Sequence, residues 1–297
     1  MSQAVRRVVV VGRDAAAWLT ATALHRAFAR TGVSVAVAEL PSLLGPADVY
    51  SATPSLAGLH RLLGLEERDV LRVCRGLPVV GQRFSGWSGD GSAFVHGYDP
   101  KRAAINGIDF LQFWIKARTG GMPVPFEDFS AAAAAAKQGR LSPPETDPDA
   151  FGNVAPGYHL HARAYVGALR RLAVDSGVEH RSGELDNVER EGTRIRSVTL
   201  AGGVSVAGEL FVDATGPDAL LMKGQPGDSY ESWAEWLPCD RVLTASGPPL
   251  SPLPAFSEIM AFDAGWIGLF PLQNRTAVTA VYSSAQAGDD RVLKTLV

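Results

Sequence analysis

The stretch that most constrains this chain lies near its N-terminus, at residues 6–18 (RRVVVVGRDAAAW). Its unbroken β-branched run, Val8 to Val11, predicts a strand buried on both faces of a parallel sheet. Gly12 ends this strand, and the sequence after it predicts a helix from Ala15 to Thr31. A second apolar run, Val33 to Ala38, predicts the next buried strand. The order of these elements indicates a βαβ unit and therefore an α/β fold.

The turn between the first strand and the helix is a degenerate form of the dinucleotide-binding fingerprint G-x-G-x-x-G. Gly12 is retained, whereas Asp14 stands at the second glycine and Ala17 at the third. Glu39 follows the second strand, at the position where an acidic residue binds a ribose hydroxyl. The pattern predicts a dinucleotide site with Gly12, Asp14, Ala15 and Glu39 as its candidate contacts.

Asp14 changes what such a site can do. The second glycine of the fingerprint allows the backbone to approach a pyrophosphate closely, and a side chain obstructs that approach. A carboxylate also places a negative charge beside the phosphates. Asp14 has a structural alternative as the N-cap of the helix that follows. We therefore expect an intact βαβ unit whose binding of a nucleotide is weak or lost.

Length and composition narrow the remaining classes of protein. A chain of 297 residues can bury a large core, as one big domain or two small ones. The net charge of −3 gives no indication of the basic surface that a nucleic-acid-binding protein needs. Cys74 and Cys239 have no partners at metal-ligand spacing and favour a reducing compartment. Because neither a signal peptide nor a membrane-spanning stretch is visible, we expect a cytoplasmic protein without membrane contact.

The rest of the sequence predicts a mixture of helices and strands. Further helices are predicted at 56–64, 66–74, 110–118, 126–138 and 162–176. Further strands are predicted at 79–87, 158–160, 183–190, 194–200, 204–212, 241–245, 258–262, 266–270 and 276–282. Residues 40–53 are predicted as loop, and residues 141–156 as a linker. This mixture predicts a Rossmann-type sheet with an inserted antiparallel sheet, in a single continuous domain that spans residues 1–297.

Six further blocks lie at 60–72 (HRLLGLEERDVLR), 113–121 (FWIKARTGG), 126–144 (FEDFSAAAAAAKQGRLSPP), 161–178 (HARAYVGALRRLAVDSGV), 210–221 (LFVDATGPDALL) and 263–276 (DAGWIGLFPLQNRT). Taken in order, they resemble the N-terminal portion of the flavin-dependent tryptophan halogenases, a branch of the FAD monooxygenase group. Several such blocks in the right order are fairly specific, whereas no single one would be. The resemblance implies FAD as cofactor, a separate flavin reductase as partner and an aromatic small molecule as substrate. In this family, reduced FAD, oxygen and halide give hypohalous acid, and a lysine holds or relays the electrophile.

The family lysine is absent from its expected position. It lies before a strand of the form K-L-G-I-R-F, and here Val79 stands in its place at the start of 79–84 (VVGQRF). Valine can neither form a chloramine nor donate a charged hydrogen bond. The nearest lysines in the sequence are Lys101 and Lys116, and Lys116 is interpreted as a solvated charge on a helix. No residue is therefore predicted as a catalytic group.

The family signature W-x-W-x-I-P is also changed. It corresponds to residues 266–271 (WIGLFP), in which Trp266 and Pro271 remain and Gly268 replaces the second tryptophan. The resemblance makes Pro271 a candidate flavin contact. Trp233 and Trp236 imitate the spacing of the signature, but they come too early in the order of blocks and are interpreted as packing or surface aromatics.

Two other groups of residues could form sites. The segment Asp213-Ala214-Thr215-Gly216 ends a predicted strand, which makes Asp213 and Gly216 candidate flavin contacts. A strand-end aspartate before a glycine turn is common in FAD proteins and also in other α/β sheets, so both interpretations stay open. His159 and His161 share one face of a strand, but no carboxylate or cysteine cluster completes a metal site, and none is predicted.

The family continues well beyond the position that corresponds to Val297. The resemblance implies that the C-terminal part holds a second flavin and halide stretch, an assisting glutamate and most of the indole pocket. We therefore expect a fold truncated at its C-terminus relative to the family, with apolar surface open near Trp266, Leu269 and Phe270. Such surface favours self-association or a protein partner.

Three functions remain in competition. The first is a flavin-dependent halogenase or relaxed monooxygenase, impaired or inactive as an isolated chain. The second is a non-catalytic relative that acts, if at all, through a protein partner. The third, a Rossmann reductase of another kind, fits the first βαβ unit and not the later blocks. A yellow purified protein with a flavin spectrum would favour the first function.

Overall fold

The computed structural model describes residues 5–28, 30–89, 91–99, 104–141, 156–223 and 231–296. In chain order, the strands are β1 (Arg7–Gly12), β2 (Ser34–Glu39), β3 (Val49–Ala52), β4 (Leu77–Val79), β5 (Gly81–Ser85), β6 (Ala93–Gly97), β7 (Gly157–His161), β8 (Glu179–Ser182), β9 (Leu185–Glu191), β10 (Arg194–Leu200), β11 (Val204–Ala207), β12 (Leu210–Ala214), β13 (Arg241–Gly247), β14 (Phe256–Phe262), β15 (Gly265–Pro271) and β16 (Thr276–Tyr282). The α-helices are α1 (Asp14–Phe28), α2 (Ser55–Leu63), α3 (Glu67–Val73), α4 (Phe110–Thr119), α5 (Ala131–Lys137), α6 (Ala162–Ser176) and α7 (Asp289–Leu296). Lys101 and residues 142–155 of the predicted linker lie outside the described residues.

The chain divides into two compact units. Unit 1 comprises Met1–Pro46, Leu62–Leu65 and Ala162–Ser232, and unit 2 comprises Ala47–Arg61, Glu66–His161 and Trp233–Val297. This division does not test whether the units fold separately, so the single domain spanning 1–297 stays a prediction. Within the described ranges, no helix is both long and apolar enough to cross a membrane.

Unit 1 contains the predicted βαβ unit, which the structure confirms. Its parallel sheet has the strand order β12-β1-β2-β8. Val9 and Val11 of β1 pack against Val198 and Val206, which lie in the antiparallel sheet β11-β10-β9. Helix α1 packs against β1 and β2, with Trp18 fully buried. The parallel sheet with an additional antiparallel sheet is the predicted fold class.

Unit 2 contains two further sheets. The larger has the order β13-β16-β15-β14-β5-β6, in which only the pair β14 and β5 is parallel. The smaller is the antiparallel sheet β3-β7-β4. The alanine run of α5 buries Ala132, Ala133 and Ala136 against Val80 and Val95. Alanine side chains allow this helix to lie close to the sheet, which explains their run in the sequence.

Two predicted strands are each divided between two sheets. The predicted strand 79–87 is wrong as a single strand, because the chain leaves the smaller sheet of unit 2 after Val79 and enters the larger one at Gly81. The predicted strand 204–212 is interrupted at Gly208 and Glu209, where Glu209 donates its backbone N–H to the carbonyl oxygen of Arg7. That bond begins the pairing of β12 with β1. A continuous β pattern carries no information about which sheet each half joins.

Several element boundaries also differ from the prediction. Helix α1 ends at Phe28 rather than at Thr31, and the predicted loop 40–53 contains strand β3. The predicted helix 126–138 is a 3₁₀ turn, Phe126–Phe129, followed by α5. Ser130 separates the two because its hydroxyl caps α5 by accepting a hydrogen bond from Ala133 N–H at 2.8 Å. Strands β6 and β8 and helix α7 have no counterpart in the prediction.

Candidate functional site

Gly12 lies where the carboxyl ends of three parallel strands meet. It is paired with Glu39 of β2 and with Ala214 of β12. A Cβ atom at this position would lie 2.2 Å from the carbonyl oxygen of Ala214, well inside the contact distance. The close approach of β1 to β12 therefore requires the glycine in the protein alone, before any ligand is considered.

Asp14 takes a backbone conformation that favours glycine. Its φ is 58°, in the left-handed region, where aspartate is one of the few tolerated side chains. Helix α1 begins at Asp14, whose φ is not helical, so its alternative role as N-cap stays a prediction. Its carboxylate accepts a hydrogen bond from the hydroxyl of Ser42, in the loop after β2. A side chain and a loop contact thus occupy the position of the second glycine of the fingerprint.

The neighbouring alanines are buried in the start of α1. Ala15, a candidate contact, is 8% exposed, and Ala17 is fully buried. Ala17 stands at the third glycine, whose role is close packing of the helix on the strands. The small alanine side chain preserves that packing.

Glu39 lies at the end of β2, as predicted, but its carboxylate contacts side chains of the same unit. Oε1 accepts a hydrogen bond from the indole N–H of Trp18 at 3.0 Å. Oε2 lies 2.8 Å from Nε2 of His180 and 3.4 Å from an N–H group of Arg170. The side chain is only 13% exposed. Both oxygens therefore have donors from α1, α6 and β8 in the absence of a ribose.

Asp213 organises the loop that follows β12. Its Oδ1 accepts hydrogen bonds from the backbone N–H and the hydroxyl of Thr215 at 3.0 and 2.6 Å. Its Oδ2 accepts from the N–H groups of Leu221 and Met222 at 2.9 and 3.2 Å. Gly216, with a φ of 76°, begins the 3₁₀ turn inside this loop. The four donors make Asp213 a structural group of unit 1 whether or not a flavin binds beside it.

Arg13 was not singled out by the sequence analysis, although a cation directly after the first glycine was a visible signal. Its guanidinium NH1 lies 3.3 Å from Oδ2 of Asp218, and the side chain is 14% exposed. Its buried Nε–H group has no acceptor. A buried cationic donor without an acceptor is compatible with an anionic ligand at this edge of the sheet.

The remaining candidate residues lie in unit 2. Val79 is fully buried in β4, where it pairs with Gly157 of β7. Lys116 is exposed on α4, which agrees with its interpretation as a solvated charge. Trp233 and Trp236 are 62% and 80% exposed, so they are surface aromatics.

Pro271 ends β15 and is held by a buried histidine. The Nδ1 atom of His159 lies 2.9 Å from the carbonyl oxygen of Pro271, and its Nε2 atom lies 2.8 Å from the hydroxyl of Ser257. A carbonyl only accepts hydrogen bonds, so the proton is on Nδ1 and Nε2 accepts from Ser257. Both nitrogens are therefore used within the protein, and no group of three His, Cys, Asp or Glu residues in the described ranges is arranged to hold a metal.

The space beside Gly268 is filled by a neighbouring aromatic ring. A Cβ atom on Gly268 would lie 2.5 Å from the ring of Phe270 and 3.3 Å from that of Trp266. Phe270 stands at the isoleucine of the family signature W-x-W-x-I-P, and Gly268 stands at its second tryptophan. The tryptophan side chain lost at Gly268 is thus replaced in space by the larger side chain of Phe270, two residues further along the strand.

Replacing Gly268 with tryptophan is expected to destabilise the protein by about 1–3 kcal/mol, because the new ring must displace Phe270. The double variant Gly268→Trp with Phe270→Ile restores both family residues and is expected to recover most of that loss. Phe270→Ile alone serves as the control and is expected to be destabilised by the cavity that it leaves. Urea unfolding followed by circular dichroism measures all three. A loss in the double variant equal to the sum of the two single losses would show that the two positions are not coupled.

The parallel sheet with Gly12 and Glu39 at its carboxyl edge defines the class as a Rossmann-type, dinucleotide-binding fold. Within that class, a model of the tryptophan halogenase family matches residues 7–297, and the chain belongs to that family. This match confirms the resemblance and removes the alternative of a Rossmann reductase of another kind.

Individual relatives agree with this assignment. The chain is 26% identical to tryptophan 6-halogenase SttH of Streptomyces toxytricini, over 98% of this chain and 60% of that protein. The solved structure of BrvH, a flavin-dependent halogenase from Brevundimonas sp. BAL3, is 30% identical with a TM-score of 0.84, over 98% of this chain and 59% of that one. Xcc4156, a flavin-dependent halogenase from Xanthomonas campestris, is 29% identical with a TM-score of 0.89, over 99% and 59%. The chain thus spans about three-fifths of the length of these relatives.

Proposed function

We propose that this chain is a flavin-dependent halogenase-like protein that binds FAD weakly at the carboxyl edge of the parallel sheet in unit 1. The observation that supports it best is the βαβ unit, in which α1 begins within two residues of Gly12. The N-terminus of a helix in this position attracts a pyrophosphate. The acceptor-free Nε–H of Arg13 fits the same anionic group. When it is bound, reduced FAD would activate oxygen for reaction with a halide ion.

The acidic residues at this edge of the sheet support weak binding of FAD. Asp14 places a carboxylate and its Ser42 contact at the position through which a pyrophosphate approaches. Glu39 and Asp213 have their carboxylate oxygens engaged by donors of unit 1. A ribose hydroxyl therefore competes with existing hydrogen bonds. Binding then depends on the N-terminus of α1 and on Arg13, which supports a weaker complex than an intact fingerprint gives.

Replacing Asp14 with glycine is expected to raise the affinity for FAD at least about tenfold. Two unit charges ~4 Å apart repel by about 1–4 kcal/mol, and ~1.4 kcal/mol corresponds to a factor of ten. Glycine also adopts the φ of 58° without strain. Equilibrium dialysis with flavin absorbance measures the dissociation constants. Asp14→Asn is the matched control: it keeps the size of the side chain and removes its charge, so it separates repulsion from obstruction. Tight stoichiometric binding of FAD by the unmodified chain would contradict the proposal.

We further propose that the chain makes no halotryptophan when it is supplied with a flavin reductase, NADH, halide and tryptophan. The support is the fully buried Val79 at the position of the family lysine. Mass spectrometry of the reaction mixture tests this proposal, and a chlorinated or brominated tryptophan would overturn it. The second candidate, a non-catalytic relative, is favoured if the protein also fails to bind FAD.

We also propose that the protein is cytoplasmic and that it associates with itself or with a protein partner. Within the described residues, neither Cys74 nor Cys239 is part of a disulfide, which supports a reducing, cytoplasmic compartment.

The apolar surface expected near Trp266, Leu269 and Phe270 is not open, because Phe270 is 7% exposed and the other two are part-buried. The exposed apolar side chains are instead Trp233, Trp236 and Leu237, at 62%, 80% and 66%, which supports self-association or a protein partner. Light scattering at several concentrations tests this. We expect Trp236→Gln to reduce the average mass, and a monomer at every concentration for the unmodified chain would overturn the proposal.

A further inference from the structure

Arg13 combines a cationic side chain, burial and an unmet hydrogen bond. Its backbone N–H donates to the carbonyl oxygen of Ala214 at 3.3 Å, which fixes the residue between the ends of β1 and β12. Its side chain is 14% exposed, and the buried Nε–H group has no acceptor. A buried donor left without an acceptor is costly, and more so when the group is charged. An acceptor that carries negative charge would satisfy this donor at the start of α1.

The acidic residues of this edge do not supply that acceptor. Asp14, Glu39 and Asp213 bind other donors of unit 1. Among the described residues, Asp218 is the ion-pair partner of Arg13, at 3.3 Å, and its own side chain is 47% exposed. An ion pair with a half-exposed partner contributes little and is readily exchanged. A ligand anion that also meets the N-terminus of α1 would compete well for the guanidinium.

We propose that Arg13 is the phosphate-binding residue of the FAD site, and that it exchanges Asp218 for a phosphate oxygen of the diphosphate. The proposal rests on the proposed function and gives a specific role to the residue at the first variable position of the glycine fingerprint. The fork of an arginine side chain donates to phosphate in a bidentate geometry. Arg13 thereby offsets the negative charge that Asp14 introduces one residue later, which would allow a site with a damaged fingerprint to bind FAD.

The test is a double-mutant cycle on FAD affinity, measured by equilibrium dialysis in the unmodified chain and in the Asp14→Gly background. We expect Arg13→Gln to weaken binding at least tenfold and Arg13→Lys to weaken it less. We expect Asp218→Asn to tighten binding, because it releases Arg13, and to have no effect once Arg13 is glutamine. The matched control is Arg194→Gln, which removes the same charge from the exposed start of β10 and is expected to change nothing.

The outcomes separate this proposal from the proposed function. Equal FAD affinity in the unmodified chain, Arg13→Gln and Arg194→Gln overturns the role of Arg13 and leaves FAD binding intact. If Asp218→Asn still tightens FAD binding in the Arg13→Gln variant, the proposed exchange of Asp218 for a phosphate oxygen is overturned. The effect then reflects only the removal of a negative charge. Failure of both the unmodified chain and Asp14→Gly to bind FAD overturns the proposed function and this inference together. Should Arg13→Gln fail to fold, Arg13→Lys and Asp218→Asn still decide, because Asp218→Asn must tighten binding.

Discussion

Replacing Val79 with lysine, the residue of the family at this position, is expected to destabilise the protein by about 3–5 kcal/mol and to restore no halogenation. Val79 is fully buried in β4, so the ammonium group would be removed from water without a partner of opposite charge. Burial disfavours the charged form of lysine and lowers its pKa. The deficit is therefore expected to shrink as the pH rises and the buried lysine becomes neutral. Urea unfolding at several pH values measures it.

The matched control for this variant is Val242→Lys. Val242 is also a strand valine of unit 2, in β13, but it is 61% exposed. The same chemical change there is expected to stay within about 0.5 kcal/mol of the unmodified protein. A Val79→Lys variant as stable as Val242→Lys would show that the burial of this position is wrong. A variant that gained halogenation would contradict the expectation that a lysine here restores no activity.

The second large effect is a loss of stability in acid that originates at His159. Burial lowers the pKa of His159 from 6.5 to about 4, while its hydrogen bond to Pro271 opposes that shift. The unfolded chain therefore binds the proton first as the pH falls. The stabilisation from neutral His159 is fully present above about pH 6.5 and is lost between there and about pH 4. A shift of this size corresponds to about 3 kcal/mol.

His159→Gln removes the titrating ring and retains one donor and one acceptor. We expect its free energy of unfolding to fall less steeply than that of the unmodified protein between pH 6.5 and pH 4. The other titratable groups are the same in both proteins, including His60, whose pKa is also lowered by burial. They therefore do not contribute to the difference in slope between the two proteins. His96→Gln, at an exposed position of β6, is the control and should keep the original slope. Identical slopes in His159→Gln and the unmodified protein would contradict the assignment.

The first βαβ unit was predictable because its information is local. Val8 to Val11 and the apolar run after Thr31 are buried strands whose order dictates a parallel sheet, and the structure confirms both. The amphipathic helix α6 has the predicted boundaries, since its apolar stripe and the following Gly177 are also local signals. The division of the predicted strand 79–87 between two sheets could not be predicted from the sequence, because the partner strands that set sheet membership lie far away in the chain.

The sequence predicted where the candidate site residues lie in the fold, but not which hydrogen bonds they form. Glu39 and Asp213 lie at strand ends as expected, yet the donor that His180 offers to Glu39 is 141 residues away in the chain. No spacing rule connects such residues. The exchange of bulk between Gly268 and Phe270, by contrast, lies within one motif and could have been noticed from the sequence. Arg13 was equally visible, but its missing acceptor is a property of the folded chain.

Amide hydrogen exchange with and without FAD, at a concentration that dialysis shows to be saturating, tests most directly whether the carboxyl edge of the sheet in unit 1 is the cofactor site. We expect FAD to slow exchange in the peptides that cover 12–17 and 215–222. The antiparallel sheet of β9, β10 and β11 is the internal reference and should exchange at the same rate in both samples. Unchanged exchange at 12–17 in the FAD-saturated protein, with protection confined to other segments, would contradict an FAD site at this edge.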